Sequence, residues 1–283
     1  MAQFTNQAQL SYNGLSVQSN VAVGEIVESL TMTKTAVPTS YGDGDRITYI
    51  ISVVNSGATD ITGLTLTDNL GSYTFNTRTL VPLDYTADTV RYYSNGILQT
   101  SPTVAATNPL TITGLTVPAG GNILLVYETT TNSFAPPAVE SSITNTATLS
   151  GGVVSALTAT ETVSATNDPR LSVAKSINPV PVSENGTLTY TFLIQNIGNT
   201  AADAADVAAL TDTFDPKLSD LTVTFNGTAW TQGTQYNYDQ ATGVFSTVPG
   251  QITVPAATYT QDPTTGAWIA TPGTSTLVVS GRI

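Results

Sequence analysis

Two tandem antiparallel β-sandwich domains, all-β throughout and the second of them incomplete, are the architecture this sequence predicts. Three observations carry the prediction. Apolar residues alternate with Thr, Ser and Asn in short runs set off by Gly, Pro and Asn clusters, the pattern of half-buried antiparallel strands. The chain repeats itself at a spacing of about 140 residues, the scale of whole domains rather than of solenoid units. One piece of the repeat is out of phase: a hairpin that closes the first copy recurs at the N-terminus and not after the second copy.

The repeat is legible strand by strand. Leu30-Thr-Met-Thr-Lys34 matches Leu171-Ser-Val-Ala-Lys175, and Thr48-Tyr-Ile-Ile-Ser-Val-Val-Asn-Ser-Gly57 matches Thr189-Tyr-Thr-Phe-Leu-Ile-Gln-Asn-Ile-Gly198. Leu64–Asp68 matches Ala208–Asp212, and the strand Asn122–Glu128 matches Ser275–Gly281. The Ala-rich run Ala201–Ala209 has room for one short helical turn, and Phe134-Ala-Pro-Pro-Ala138 reads as a loop.

The hairpin of the first copy reads as Ser142–Leu149, a Gly151-Gly152 turn and Val153–Val163. Its duplicate is Phe4–Tyr12, an Asn13-Gly14 turn and Leu15–Val27. This divides the chain into a donor hairpin (1–27), a complete sandwich (28–166) and an incomplete sandwich (167–283). An incomplete sandwich exposes a groove and unpaired strand edges. The spare hairpin carries a matching apolar set, Phe4, Ala8, Leu10, Leu15, Val17, Val21 and Val23. The expectation is that the hairpin of one molecule completes the second domain of another, giving a head-to-tail homopolymer.

Composition excludes much else. There is no Cys and no His, so disulfides, thiolate metal sites and Ser-His-Asp catalysis are absent from the options. A net charge of −12 with only eight Lys and Arg argues against nucleic acid and anionic membrane surfaces. No run of eighteen apolar residues is present, so no membrane insertion is expected. No basic segment leads into an apolar one at the start, so no signal peptide is visible. No cofactor or metal is implied, and the expectation is not an enzyme.

Strand parity picks out an unusual set of inward side chains. Lys34 shares a face with Leu30 and Met32, and Lys175 with Leu171 and Val173, so two of three lysines point into cores. Lysine is seldom buried unless paired. Asp68 lies on the face of Leu64 and Leu66, and Asp212 on that of Leu210. Asn145 shares a face with Ile143, Ala147 and Leu149, as Asn6 does with Phe4, Ala8 and Leu10. Each completed domain would hold Lys, Asp and Asn: Lys34, Asp68 and Asn145 in the first, Lys175, Asp212 and a neighbour's Asn6 in the second. Two readings stand. One is a buried ion pair hydrogen-bonded to an amide. The other is self-processing: a neutral lysine amine attacks the Asn carbonyl with an Asp assisting, and ammonia leaves. The set, in the chain order Lys, Asp, Asn, resembles the triads of collagen-adhesin-type surface domains, which implies intramolecular isopeptide bonds.

The segments Lys34-Thr35, Thr48–Gly57, Leu64-Thr-Leu-Thr-Asp68-Asn-Leu70 and Thr144-Asn-Thr-Ala147 are similar to a conserved-repeat surface domain, domain of unknown function eleven. The resemblance implies immunoglobulin-like sandwiches in tandem on bacterial or archaeal cell surfaces. A chain that starts with such a hairpin resembles clostridial or bacillar subunits of surface or spore appendages, which implies an extracellular or spore-surface, pilus-like structural role. The alternative is an adhesin in which Trp230, Tyr236 and Tyr238, or Tyr92 and Tyr93, form a ligand platform. Tyr41-Gly-Asp-Gly-Asp-Arg46 starts like a calcium loop but lacks the later ligands and reads as a surface turn.

Overall fold

The computed structural model describes residues 2–26, 30–152 and 155–283. Among them there is no α-helix; one 3-10 turn, Ala204–Asp206, forms in the Ala-rich run, capped by Asp203. The N-terminal hairpin comprises β1 (Ala2–Asn6), β2 (Gln9–Tyr12), β3 (Leu15–Gln18) and β4 (Ala22–Ile26). The first sandwich follows with β5 (Leu30–Val37), β6 (Ser40–Tyr41), β7 (Arg46–Asn55), β8 (Ile61–Asp68), β9 (Tyr73–Phe75), β10 (Arg78–Leu80), β11 (Leu83–Tyr85), β12 (Arg91–Ser94), β13 (Ile97–Leu98), β14 (Thr103–Thr107), β15 (Leu110–Val117), β16 (Asn122–Thr131), β17 (Ser142–Gly151) and β18 (Leu157–Ala165). The second has β19 (Leu171–Asn178), β20 (Thr187–Asn196), β21 (Thr211–Thr213), β22 (Ser219–Phe225), β23 (Thr228–Ala229), β24 (Tyr236–Asp239), β25 (Val244–Thr247), β26 (Thr258–Gln261), β27 (Trp268–Thr271) and β28 (Gly273–Arg282).

In the first sandwich one sheet runs β13-β12-β16-β7-β5 and the other β14-β15-β8-β17-β18-β6. Alternation does the rest. Ile47, Tyr49, Ile51 and Val53 of β7 and Ile123, Leu125 and Tyr127 of β16 face Leu64 and Leu66 of β8 and Ile143, Ala147 and Leu149 of β17, all buried. The second sandwich keeps the β19-β20-β28-β22-β23 sheet and the repeat register: Lys34 pairs with Ile51 as Lys175 pairs with Phe192. Its opposing layer is the three-stranded β21-β25-β24.

The two sandwiches differ most at their first strand. On β5, Leu30, Lys34 and Ala36 are buried. On β19 every residue is exposed, including the side chains that parity would turn inward, Leu171 (40%), Val173 (59%) and Ile177 (45%). β8 is paired on both edges, by β15 and β17, whereas β21 pairs only β25 among the described residues.

In the hairpin, β1 pairs β4 and β2 pairs β3, and among the described residues none of the four joins either sandwich. Asn13 and Gly14 have φ of 46° and 77°, the two positive angles of a type I′ turn. The register corrects one expectation. Tyr12 pairs Leu15 and Leu10 pairs Val17, but beyond an irregular link at 19–21 Asn6 pairs Ala22 and Phe4 pairs Gly24. Val23 therefore lies opposite Thr5, on the other face from Phe4, and Val21 sits in the link. Ala22 and Gly24 take the places assigned to those valines, and the Phe4 ring lies across Gly24, where a Cβ would come within 2.3 Å of it. The extra residue of the link slips the alternation by one. Val27 lies outside the described residues.

The Gly151-Gly152 turn is also corrected. The last β17–β18 pair is Leu149–Leu157, and β17 continues to Gly151, which still pairs with Leu64 of β8. The connection is therefore longer than two residues, and Val153 and Val154 lie outside the described residues. Glycine is needed at 151 for a different reason. Its φ is 95°, and a Cβ there would stand 2.6 Å from the Gly63 carbonyl oxygen. Gly151→Ala should cost about 1–3 kcal/mol of stability, measured by denaturant unfolding.

Candidate functional site

The site of the first sandwich spans both sheets. β5 supplies Lys34, 4% exposed; the opposite sheet supplies Asp68 at the end of β8 and Asn145 on β17, both fully buried. Ala147 pairs with Asp68 across the strands, so Asn145 lies two residues further along the same face. Asp68 is the hub. Its Oδ2 accepts hydrogen bonds from both the Lys34 ammonium and the Tyr127 hydroxyl, and its Oδ1 accepts from the Leu70 N–H at 2.9 Å. Asn145 Oδ1 accepts from the buried Gly71 N–H at 3.2 Å. Lys34 Nζ sits 4.6 Å from the centre of the Tyr49 ring, which stacks on Tyr127 at 5.7 Å.

Burial pulls the Lys34 amine down to about 8, against the opposing attraction of Asp68 and, further out, Glu161. At neutral pH roughly one amine in ten is then uncharged, which is the form that can attack a carbonyl. Burial also pushes the hydroxyls of Tyr49 and Tyr127 up, so both remain protonated donors at neutral pH. The arrangement can hold an amine, an acceptor for its proton and a polarised amide carbonyl in one dry place.

The second sandwich holds half of this. Lys175 and Asp212 form an ion pair, and Lys175 Nζ lies 4.4 Å from the Tyr190 ring centre, as Lys34 lies over Tyr49. Here the lysine side chain is 40% exposed and the aspartate 20%, against none for Lys34 and Asp68. Asn6 is far along the chain on the unattached hairpin and is exposed. Lys34, Asp68 and Asn145 are thus gathered in one place, while Lys175 and Asp212 stand apart from Asn6.

Sequence reasoning missed four contributors. Tyr127 is on the inward face of β16 with Ile123 and Leu125. Tyr49 recurs as Tyr190 in the aligned repeat. Glu161 pairs with Asn145 across β17–β18, and the Gly71 amide carries no side-chain signal at all. The register also corrects the repeat: Tyr127 pairs with Tyr49 but Val279 holds that place opposite Tyr190, so the strand matched to Asn122–Glu128 begins one residue before Ser275.

Four of the five aromatics weighed as a ligand platform are engaged in packing or hydrogen bonds. Trp230 stacks on Phe225, Tyr236 is buried against Phe245, and the Tyr238 hydroxyl accepts from the Leu218 N–H and donates to its carbonyl. The Tyr92 hydroxyl is bonded to the Thr116 carbonyl. These rings hold the sandwiches together. In the 41–46 turn Asp45 accepts from the Gly42 N–H, and no cluster of possible metal ligands occurs among the described residues.

No family model matches the chain. No curated protein matches it either. Solved structures resemble it in part. BcpA, the major pilin subunit of Bacillus cereus, is 14% identical over 99% of this chain and 74% of its own, with a TM-score of 0.36. The Streptococcus pneumoniae pilin RrgB is 12% identical over 88% of this chain and 42% of its own, with a TM-score of 0.33. ACE19, the collagen-binding subdomain of an Enterococcus faecalis surface protein, is 8% identical over 51% of this chain and all of its own, with a TM-score of 0.31. With scores this low, none of them says what this chain does.

The buried amine sets a pH dependence. Lys34 has a lower pKa folded than the 10.5 of an ordinary lysine, so between about 8 and 10.5 the unfolded chain binds more protons and stability rises with pH. Above about 10, unfolded tyrosines ionise while the buried ones do not, which acts the other way. In an Asn145→Ala variant, where the amine has no amide beside it, unfolding free energy should rise from pH 8 to pH 10. The same variant carrying Lys34→Met should lose that rise.

Proposed function

We propose that this protein is the structural subunit of an extracellular, pilus-like or spore-surface filament. The hairpin of one copy completes the second sandwich of the next, and Lys–Asn amide bonds lock the fibre. The observation that supports this most directly is a complementary pair of unsatisfied surfaces. The hairpin presents Phe4 (54% exposed) and Leu10 (66%) to solvent, and β19 presents Leu171, Val173 and Ile177 to solvent on the face that β5 buries.

The hairpin also matches what covers the first sandwich. Phe4, Asn6, Ala8 and Leu10 repeat the order of Ile143, Asn145, Ala147 and Leu149. The cross-strand pair Leu10–Val17 repeats Leu149–Leu157, and Asn6–Ala22 stands where Asn145–Glu161 does. Docked in the same way, β1–β4 would pair with the open edge of β21 and cover β19. Each large apolar side chain buried contributes about 1.5–3 kcal/mol. The first sandwich lies between hairpin and acceptor along the chain, so donation to a second copy gives a heterologous contact that does not close, hence a filament.

Within the first sandwich the free amine of Lys34 attacks the Asn145 amide, Asp68 takes up its proton and ammonia is released. In the docked joint Lys175, Asp212 and the incoming Asn6 stand in the same relation. Deleting residues 2–26 should abolish fibres seen by negative-stain electron microscopy; fibres formed by the truncated protein would refute hairpin donation. Boiled in detergent, wild-type fibres should give a ladder, Lys175→Ala only monomer, and Lys34→Ala a ladder still. Intact mass of the monomer should be short by one ammonia, and Lys34→Ala should restore it.

A further inference from the structure

The Lys34–Asn145 reaction needs an acid for the departing nitrogen, and neither Asp68 oxygen is hydrogen-bonded to the Asn145 amide. Both its oxygens are already engaged, by Lys34 and Tyr127 at Oδ2 and by the Leu70 N–H at Oδ1. Asn145 Oδ1 is held by the Gly71 N–H instead. Two buried polar atoms here have no hydrogen-bond partner among the described residues: Asn145 Nδ2, the atom that must leave, and the Tyr49 hydroxyl. The Asn145 amide lies close enough to offset part of the effect of burial on the hydroxyls of both Tyr49 and Tyr127, but the Tyr127 hydroxyl is already committed to Asp68. A buried hydroxyl without a partner is costly to keep, and phenylalanine would fill the same space.

We propose that Tyr49 is a catalytic residue of this bond-forming step, the general acid that protonates the leaving nitrogen, with the Gly71 N–H as the donor to the developing oxyanion. This rests on the amide bond proposed above. The free amine of Lys34 adds to Asn145 Cγ, its surplus proton passes to Asp68, and the carbonyl electron pair moves onto Oδ1, where the Gly71 N–H stabilises it. The pair returns, the Cγ–Nδ2 bond breaks, and Nδ2 takes the Tyr49 hydroxyl proton and leaves as ammonia. The proton on Asp68 then restores the phenol. One amine and one amide become one new amide and one ammonia, and no other reactant is needed. The Tyr49 ring keeps a packing role in its contact with Lys34 Nζ and its stack with Tyr127, and both survive loss of the hydroxyl.

The test separates chemistry from structure. Full-length wild type and Tyr49→Phe are purified directly after expression, and the fraction lacking one ammonia is followed by intact mass at 37 °C. Conversion in Tyr49→Phe should be at least tenfold slower than in wild type. In a second pair, Asn145→Ala and Asn145→Ala with Tyr49→Phe, neither can form the bond, and their melting temperatures should agree, because the hydroxyl lost had no partner. Conversion of Tyr49→Phe at the wild-type rate overturns the role of Tyr49 and leaves the bond standing. Slow conversion with a clear fall in melting temperature in the second pair also overturns it, in favour of a structural role. Wild type that never loses ammonia removes the bond itself and this inference with it.

Discussion

A lysine amine inside a β-sandwich is the constraint on which the rest of this molecule turns. Lys34 reaches from one sheet to Asp68 of the other, so the pair stitches the two layers at mid-core. Taking both groups out of water is expensive, and breaking such a pair by removing one partner is more so. The surroundings are spent on answering that cost: a tyrosine hydroxyl and a backbone N–H on Asp68, an aromatic face under the amine, a backbone N–H on the neighbouring amide. Converting amine and amide into a single neutral amide would remove the lysine charge and leave the cross-sheet tie in place. Burial is thus the cost of the free pair and, on the proposed bond, what would dispose it to react.

The second sandwich shows the same pair with that burial missing. Lys175 and Asp212 meet, over the same kind of ring, but the lysine remains partly in water and the whole of β19 with it. What covers β5 in the first sandwich is the β17–β18 hairpin, and the unattached N-terminal hairpin carries the same residues in the same order. A two-stranded hairpin is marginal by itself in water. Its exposed Phe4, Leu10 and Val17 gain more from a sheet to lie on than from each other.

Much of this was legible in the sequence because β-structure has a period of two, and a repeat gives two readings of every strand. Lys34 and Lys175 stood out as inward lysines on parity alone, and the all-β sandwich followed from the same alternation. What parity could not reveal was anything that breaks it. The extra residue between β3 and β4 turned Val23 away from Phe4, and Gly151, which looks like turn text, is a point of close backbone approach. Parity also chooses faces, not neighbours. Parity puts Tyr127 on the face of Ile123 and Leu125, but that its hydroxyl ends on Asp68 depends on how β16 and β8 face one another across the core. The Gly71 amide belongs to the backbone, where sequence is silent.

The repeat is unequal at the site, and the inequality bears on order of events. Tyr127 has Val279 as its counterpart, and Glu161 has Ala22 on the hairpin. The first site holds Lys34, Asp68 and Asn145 within one chain, so in the proposed reaction its groups would be held together as soon as the sandwich folds, at the effective concentration of an intramolecular reaction. The second has no asparagine in the place of Asn145 among the described residues, and its lysine side chain is partly exposed. Docking would supply the amide and strip the water in one step. On the proposed assembly, the covalent joint can therefore form only after the non-covalent one, so free Lys175 is not consumed before a neighbour is in place.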